Sequence, residues 1–154
     1  MTEAFVVRSV HEKDFAQWKV LWDGYNAFYG RKDATALPLA ITQLTWSRFF
    51  HAAEPVHALV AMDGERMLGL VHYIFHRSTI YENPTCYLQD LFTIEAARRT
   101  GVGRALIEAV YEKARAAGTV RVYWNTHETN ASAMRLYDQV AARSGFLQYA
   151  KLVR

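Results

Sequence analysis

Six stretches of the chain carry apolar residues in alternation or in short unbroken runs, and four others carry them every three or four positions, the spacing of one face of a helix. The first kind predicts strands over 5–10, 57–62, 66–73, 86–93, 120–124 and 146–153. The second kind predicts helices. One starts near Glu12 and sets Phe15, Trp18, Leu21, Trp22, Tyr25, Phe28 and Tyr29 on an aromatic face until Gly30 stops it. Another opens near Pro38, a residue tolerated in a first turn, and runs through Ile41, Leu44, Trp46 and Phe49. A third follows Arg104 and ends at Gly118, and the last spans Asn130 to about Ala142. Asp63-Gly64 between two apolar runs marks a tight hairpin. Hairpins come first and strand-helix-strand units later, so the pattern predicts an α/β fold, a mixed and mostly antiparallel central sheet flanked by about four helices. A sheet that ends early leaves an edge, and pairing two copies is an economical way to cover it.

Between the strand Cys86-Tyr87-Leu88-Gln89-Asp90-Leu91-Phe92-Thr93 and the third helix lies Arg98-Arg99-Thr100-Gly101-Val102-Gly103-Arg104. Two glycines admit a ligand close to the backbone, and a helix's first turn carries free N–H groups and the positive end of its dipole. That combination suits a phosphate. A nucleotide P-loop needs Gly-Lys-Ser/Thr, and here Gly103 precedes Arg104-Ala105; a dinucleotide fingerprint needs a small residue where Leu106 stands.

The length of 154 residues fits one domain, 1–154, with a full core, and 51% hydrophobic against 21% charged residues describes a globular chain. No apolar run is long enough for a membrane span, and Met1-Thr2-Glu3-Ala4 lacks the layout of a secretory signal. The only cysteine is Cys86, which excludes an internal disulfide and agrees with a cytoplasmic home. A net charge of +3, scattered apart from Arg98, Arg99 and Arg104, suits a phosphorylated small molecule better than a nucleic acid. His72 and His76 share a strand face, but no third ligand accompanies them, so no metal is expected.

The turn, together with Asn130-Ala131-Ser132-Ala133-Met134-Arg135-Leu136-Tyr137 downstream, resembles the GNAT family of N-acetyltransferases. Its cofactor motif, Arg/Gln-x-x-Gly-x-Gly/Ala, is filled by Arg98, Gly101 and Gly103, while Arg99 stands where the family often has glycine. Tyr87 to Phe92 and His127 to Asn130 are similar to the branch of fungal histone and polyamine acetyltransferases and their bacterial relatives. The resemblance implies acetyl-CoA as co-substrate, with Arg98, Arg99, Thr100, Gly101, Val102, Gly103 and Arg104 around its pyrophosphate. It places Leu91, Phe92 and Thr93 along its pantetheine arm, and Asn130, Ser132 and Tyr137 by the second segment. It further implies direct attack by a primary amine, which can be a small amine, polyamine, amino acid or lysine side chain, within a ternary complex.

Tyr137 is the candidate general acid for the departing sulfur, and the first helices wall the acceptor pocket, which brings in Tyr25 and Tyr29. Related polyamine-acetylating enzymes have a glutamate before an aspartate in the central strand, where this chain has Gln89 before Asp90. Gln89 is therefore expected as a pocket residue that cannot take a proton. The base is left to Asp90, a histidine or water, and strand alternation sets Gln89 and Asp90 on opposite faces. Loss of that glutamate also keeps open a non-catalytic acyl-CoA sensor. A protein- or nucleic-acid-binding module is the third class. The expected partner is an amine substrate, with no nucleic acid or membrane, and a second copy of the chain.

Overall fold

The computed structural model describes residues 4–154, so the reading of the first three residues lies outside it. Five strands, β1 (Val6–Ser9), β2 (Val56–Asp63), β3 (Arg66–His76), β4 (Thr85–Thr93) and β5 (Val122–Tyr123), form one sheet in the order β1-β2-β3-β4-β5. The first three pairings are antiparallel and β4–β5 is parallel. Four α-helices accompany them: α1 (Phe15–Phe28), α2 (Leu39–Arg48), α3 (Val102–Ala116) and α4 (Ala131–Val140). Asp63-Gly64 does turn β2 into β3, with Gly64 at φ +58°, a left-handed conformation that side chains rarely adopt.

Alternation along the strands divides the core into two layers. Leu59 pairs with Val71 and both face α3, against Leu106, Ile107 and Val110; the next pair, Val60 with Leu70, faces α1. The α1 layer is aromatic as its spacing predicts, with Trp18, Trp22 and Tyr25 buried while Phe28 and Tyr29 emerge at the helix end. Arg8 and Asp14, 2.7 Å apart, clip β1 to the approach of α1.

Two features of the sheet shape the site. His72 pairs with Asp90 and Tyr73 with Leu88, so Gln89 is an extra residue in β4, a bulge that re-aims its neighbours. The β4–β5 ladder holds two pairs, Cys86 with Val122 and Tyr87 with Tyr123; beyond Tyr87, β4 runs on to Thr93 along an edge β5 does not cover.

Three sequence expectations are corrected here. The strand expected over 120–124 shrinks to Val122–Tyr123, because only these residues find partners on β4. The last helix ends at Val140 rather than near Ala142, with Ala141 already extended. The closing strand expected over 146–153 does not form. Residues 142–154 are exposed and pair with no strand among the described residues, and a strand exists only where a neighbour takes its N–H and C=O groups.

Candidate active site

Thr93 ends β4, and the chain then passes through a short turn into α3. Arg98 Nε donates to the Thr93 carbonyl at 3.3 Å, and the Thr100 hydroxyl donates to the Ala97 carbonyl. Gly101 caps the helix at φ +89°, which spares any side chain the strain of a left-handed backbone. No side chain caps α3, and its first bond runs from the Ala105 N–H to the Gly101 carbonyl at 3.0 Å. The amides ahead of Ala105 therefore face outward without intrahelical acceptors. Buried Val102 anchors the turn on the core, and a β-carbon on Gly103 would stand 3.4 Å from Leu136, so this helix start passes close to α4. The Arg104 guanidinium is engaged by Gln139 and, at 3.8 Å, by Glu108. The Arg104 charge is thus taken up by neighbours on α3 and α4.

A chain of buried polar groups crosses from α1 to β4. Trp18 Nε1 donates to His72 Nε2 at 3.0 Å, and His72 Nδ1 lies 2.8 Å from Asp90 Oδ2. An indole nitrogen can only donate, so Nε2 is bare, and the proton of a neutral ring sits on Nδ1 and is given to Asp90. The carboxylate is thereby fixed in place by a neutral partner. Trp22 and Phe49 close around the imidazole, with ring centroids 5.0 Å from it in each case.

Asp90 also acts on the tyrosines at the end of α1. Burial, and next the Asp90 charge, push the Tyr25 phenol well above its ordinary value. Tyr29 is raised by the same two causes, while the Arg31 cation opposes them. Arg31 lies 5.9 Å from the Tyr25 ring and 5.7 Å from the Tyr29 ring, held by a 2.6 Å bond to Asn26 Oδ1. From the other side, burial and then Tyr29 lift Tyr137 to about 12, and the Tyr137 ring meets Trp124 edge-on at 5.4 Å. Asp90, Tyr25, Tyr29, Arg31 and Tyr137 thus share one neighbourhood beside the uncovered edge of β4.

Leu91, Phe92 and Thr93 lie on that edge, paired on their other side with Val71, Leu70 and Gly69. Gln89 is exposed at the bulge and its side chain makes no hydrogen bond among the described residues, so it is Asp90 that stands with Tyr25 and Tyr29. Asn130 occupies the cap position of α4 without using its side chain as a cap, and Ser132 is exposed in the first turn. Arg99 sits at φ +65°, a strained conformation for a residue with a side chain. Cys86 is buried in the core, which pushes its thiol up to about 12 and leaves no thiolate for acyl chemistry. His76 bonds the Tyr123 hydroxyl at 2.7 Å, and His127 bonds Thr129.

The sequence did not point to Trp18 or Arg31 as site residues, and it offered His72 only as one of several histidines that could serve as base or relay. The hairpin register would bring His72 opposite β4, but which β4 residue it meets depends on the bulge. Trp18 reads as one more core aromatic.

A family model described as the acetyltransferase (GNAT) family matches residues 17–141. The D-amino-acid N-acetyltransferase HPA3 of Saccharomyces cerevisiae is 33% identical over 98% of this chain and 92% of its own length. Among solved structures, one described as a probable acetyltransferase superimposes with a TM-score of 0.84 at 20% identity, covering 97% of this chain and 98% of the other. AAC(6')-Iy bound to a CoA-containing bisubstrate analogue gives 0.82 at 13% identity over 99% and 100%. No helix among the described residues is long and apolar enough to cross a membrane.

Proposed function

The chain belongs to the acetyltransferase (GNAT) family and is an N-acetyltransferase that moves the acetyl group of acetyl-CoA to a primary amine; from that premise we propose that its acceptor is a free amino acid and that Asp90 and Tyr137 handle the protons. What supports this is the setting of Tyr29, which feels Asp90 and Arg31 while itself acting on Tyr137. The Arg31 cation lies 5.7 Å from the Tyr29 ring, and the proposed base and acid are close enough to Tyr29 to interact with it electrostatically.

The α3 start fits a pyrophosphate, because the amides of Gly101, Val102, Gly103 and Arg104 precede the first helix bond and no side chain competes for them. The uncovered edge of β4 near Leu91 to Thr93 offers backbone N–H groups to the pantetheine arm and to the thioester oxygen as charge grows there. The amine nitrogen attacks the thioester carbon, the new C–N bond forms and the C–S bond breaks. Asp90 takes one proton from the bound ammonium, which frees the lone pair for attack, and the second proton leaves nitrogen to solvent as the amide forms. Tyr137, still protonated at any working pH because its value is about 12, gives its phenolic proton to the sulfur.

An amino acid places opposite charges close together, and the Asp90 carboxylate and the Arg31 cation, both acting on Tyr29, suit them in the complementary order. The ammonium faces Asp90, and the carboxylate faces Arg31 at the rim. A polyamine would set a second cation against Arg31. The name of the yeast relative agrees with this choice. The protein is proposed to work in the cytoplasm as a homodimer, its lone cysteine buried as a thiol.

The test is CoA release with D- and L-amino acids, their decarboxylated amines and polyamines. Amino acids are expected to be preferred. Arg31→Gln should raise KM for amino acids ~10–100-fold, the worth of one charge-assisted bond, and leave the decarboxylated amines unchanged. Preference for polyamines over every amino acid would overturn the choice of acceptor.

A further inference from the structure

Two half-buried aromatic residues beside the candidate site belong to neither core layer. Tyr87 of β4 and Tyr123 of β5 are cross-strand partners whose rings stack, with centroids 5.0 Å apart and planes 19° apart. Neither packs into the cluster under α1 or the one under α3, so the pair is not spent on holding the fold together.

The bulge at Gln89 decides which way the pair faces. In a regular strand Tyr87 and Asp90, three residues apart, would point to opposite sides of the sheet. Here Asp90 lies opposite His72 and Tyr87 opposite Ile74, two residues apart on β3, so the extra residue brings Tyr87 onto the face of Asp90. Cys86 and Leu88, on either side of Tyr87, point into the α3 layer as this requires. Tyr87 therefore stands one repeat of the pleat from the carboxylate, ~7 Å along β4, and Tyr123 one strand further across, ~5 Å. Both rings are held in place. The Tyr123 hydroxyl bonds His76 Nε2 at 2.7 Å, and the Tyr87 hydroxyl accepts from Asn125 Nδ2 at 3.3 Å. The Arg121 guanidinium lies over the Tyr123 ring, 4.4 Å from its centroid. With both hydroxyls engaged, what the pair offers a ligand is apolar ring surface.

We propose that Tyr87 and Tyr123 form the subsite for the acceptor's side chain and that this subsite selects a planar aromatic one. On the reading that Asp90 receives the ammonium and Arg31 the carboxylate, the remaining large substituent of the α-carbon is left to run along β4 towards Tyr87. A phenylalanine ring reaches ~6–7 Å from its own nitrogen, which matches the distance from Asp90 to Tyr87. Aromatic rings gain from offset and edge contacts with one another, and a methyl group reaches neither tyrosine. A lysine chain would carry its charge towards Arg121. A glutamate would end against ring surface, where its carboxylate loses water and finds no donor.

The test is CoA release at limiting acceptor, read as kcat/KM in two pairs: phenylalanine against alanine in the configuration the enzyme prefers, and phenethylamine against ethylamine. Within each pair only the ring differs, and the second pair lacks the carboxylate. The aromatic member is expected to lead ~10–100-fold, the worth of burying one such ring. Tyr87→Ala should cut that ratio at least tenfold, and Tyr123→Leu should also lower it. A ratio does not depend on how much of a variant is folded, so a destabilised variant still reports. Ratios within twofold of one in every pair that turns over, ratios that Tyr87→Ala leaves in place, or no turnover of either aromatic compound would each overturn the subsite. Tyr87-dependent ratios in both pairs, with the amines outrunning the amino acids, would uphold the subsite and sink the choice of an amino acid as acceptor instead.

Discussion

Asp90 owes its orientation to one indole proton. Trp18 gives its only hydrogen to His72 Nε2, which forces the ring proton onto Nδ1 and so onto the carboxylate. Trp18→Phe keeps an aromatic ring in the core but leaves Nε2 buried without a donor. The expected cost is on the order of 1–3 kcal/mol in urea unfolding, accompanied by a lower kcat/KM, because His72 is then free to change tautomer and release Asp90. Unchanged stability and rate would mean that the Trp18–His72 bond does no work. Tyr137 makes a separate statement about pH. With its phenol lifted to about 12 by burial and by Tyr29, kcat/KM should climb as the acceptor amine loses its proton and show no falling limb from Tyr137 below that value. A fall near the ordinary phenol range, ~10, would place Tyr137 in water rather than in the pocket.

The turn into α3 is the element proposed to hold the cofactor, and its backbone angles give it two opposite sensitivities. Gly101 at φ +89° cannot accept a β-branched residue without strain, whereas Arg99 at φ +65° is a side chain already strained by ~1–2 kcal/mol. Gly101→Val should weaken acetyl-CoA at least tenfold by calorimetry, with the far-ultraviolet spectrum unchanged. Arg99→Gly should cost no stability, since relief of strain offsets the entropy that glycine adds to the unfolded chain. This turn was legible in the sequence because glycine spacing reports backbone conformation directly, as Asp63-Gly64 did for the hairpin. The mouth of β4 and β5 was not. Alternation over 120–124 shows that those residues suit a strand but not how many of them find partners, and the same limit produced the closing strand expected over 146–153. The bulge at Gln89 was equally hidden, since one extra residue in a ladder leaves no compositional mark. It puts Asp90 with Tyr25 in the α1 layer while Gln89 stays exposed.

At the scale of the whole molecule, one sheet separates an apolar layer under α3 from an aromatic layer under α1, and the candidate site lies beside the edge of β4 that β5 leaves uncovered. The aromatic layer under α1 was legible from periodicity, and the fold class could be read even though one expected strand is shorter and another does not form. Stability against acid draws on the clip between β1 and α1. The Arg8 bond, reinforced by the His11 N–H, holds the Asp14 carboxyl below its usual range despite its burial. Because the folded value is the lower one, this contribution is complete above the ordinary carboxylate range and disappears as pH falls through the lowered value. Asp14→Asn should therefore destabilise the protein at neutral pH and converge with the wild type in strong acid. The central claim concerns catalysis by two named groups, and the most direct measurement sets turnover against cofactor affinity in Asp90→Asn and Tyr137→Phe, at saturating acetyl-CoA and amino acid. Both variants are expected to lose ~10²–10⁴-fold in kcat while binding acetyl-CoA as the wild type does. Turnover within a few-fold of wild type in either variant, with the fold intact, would contradict the assignment of that residue to proton transfer.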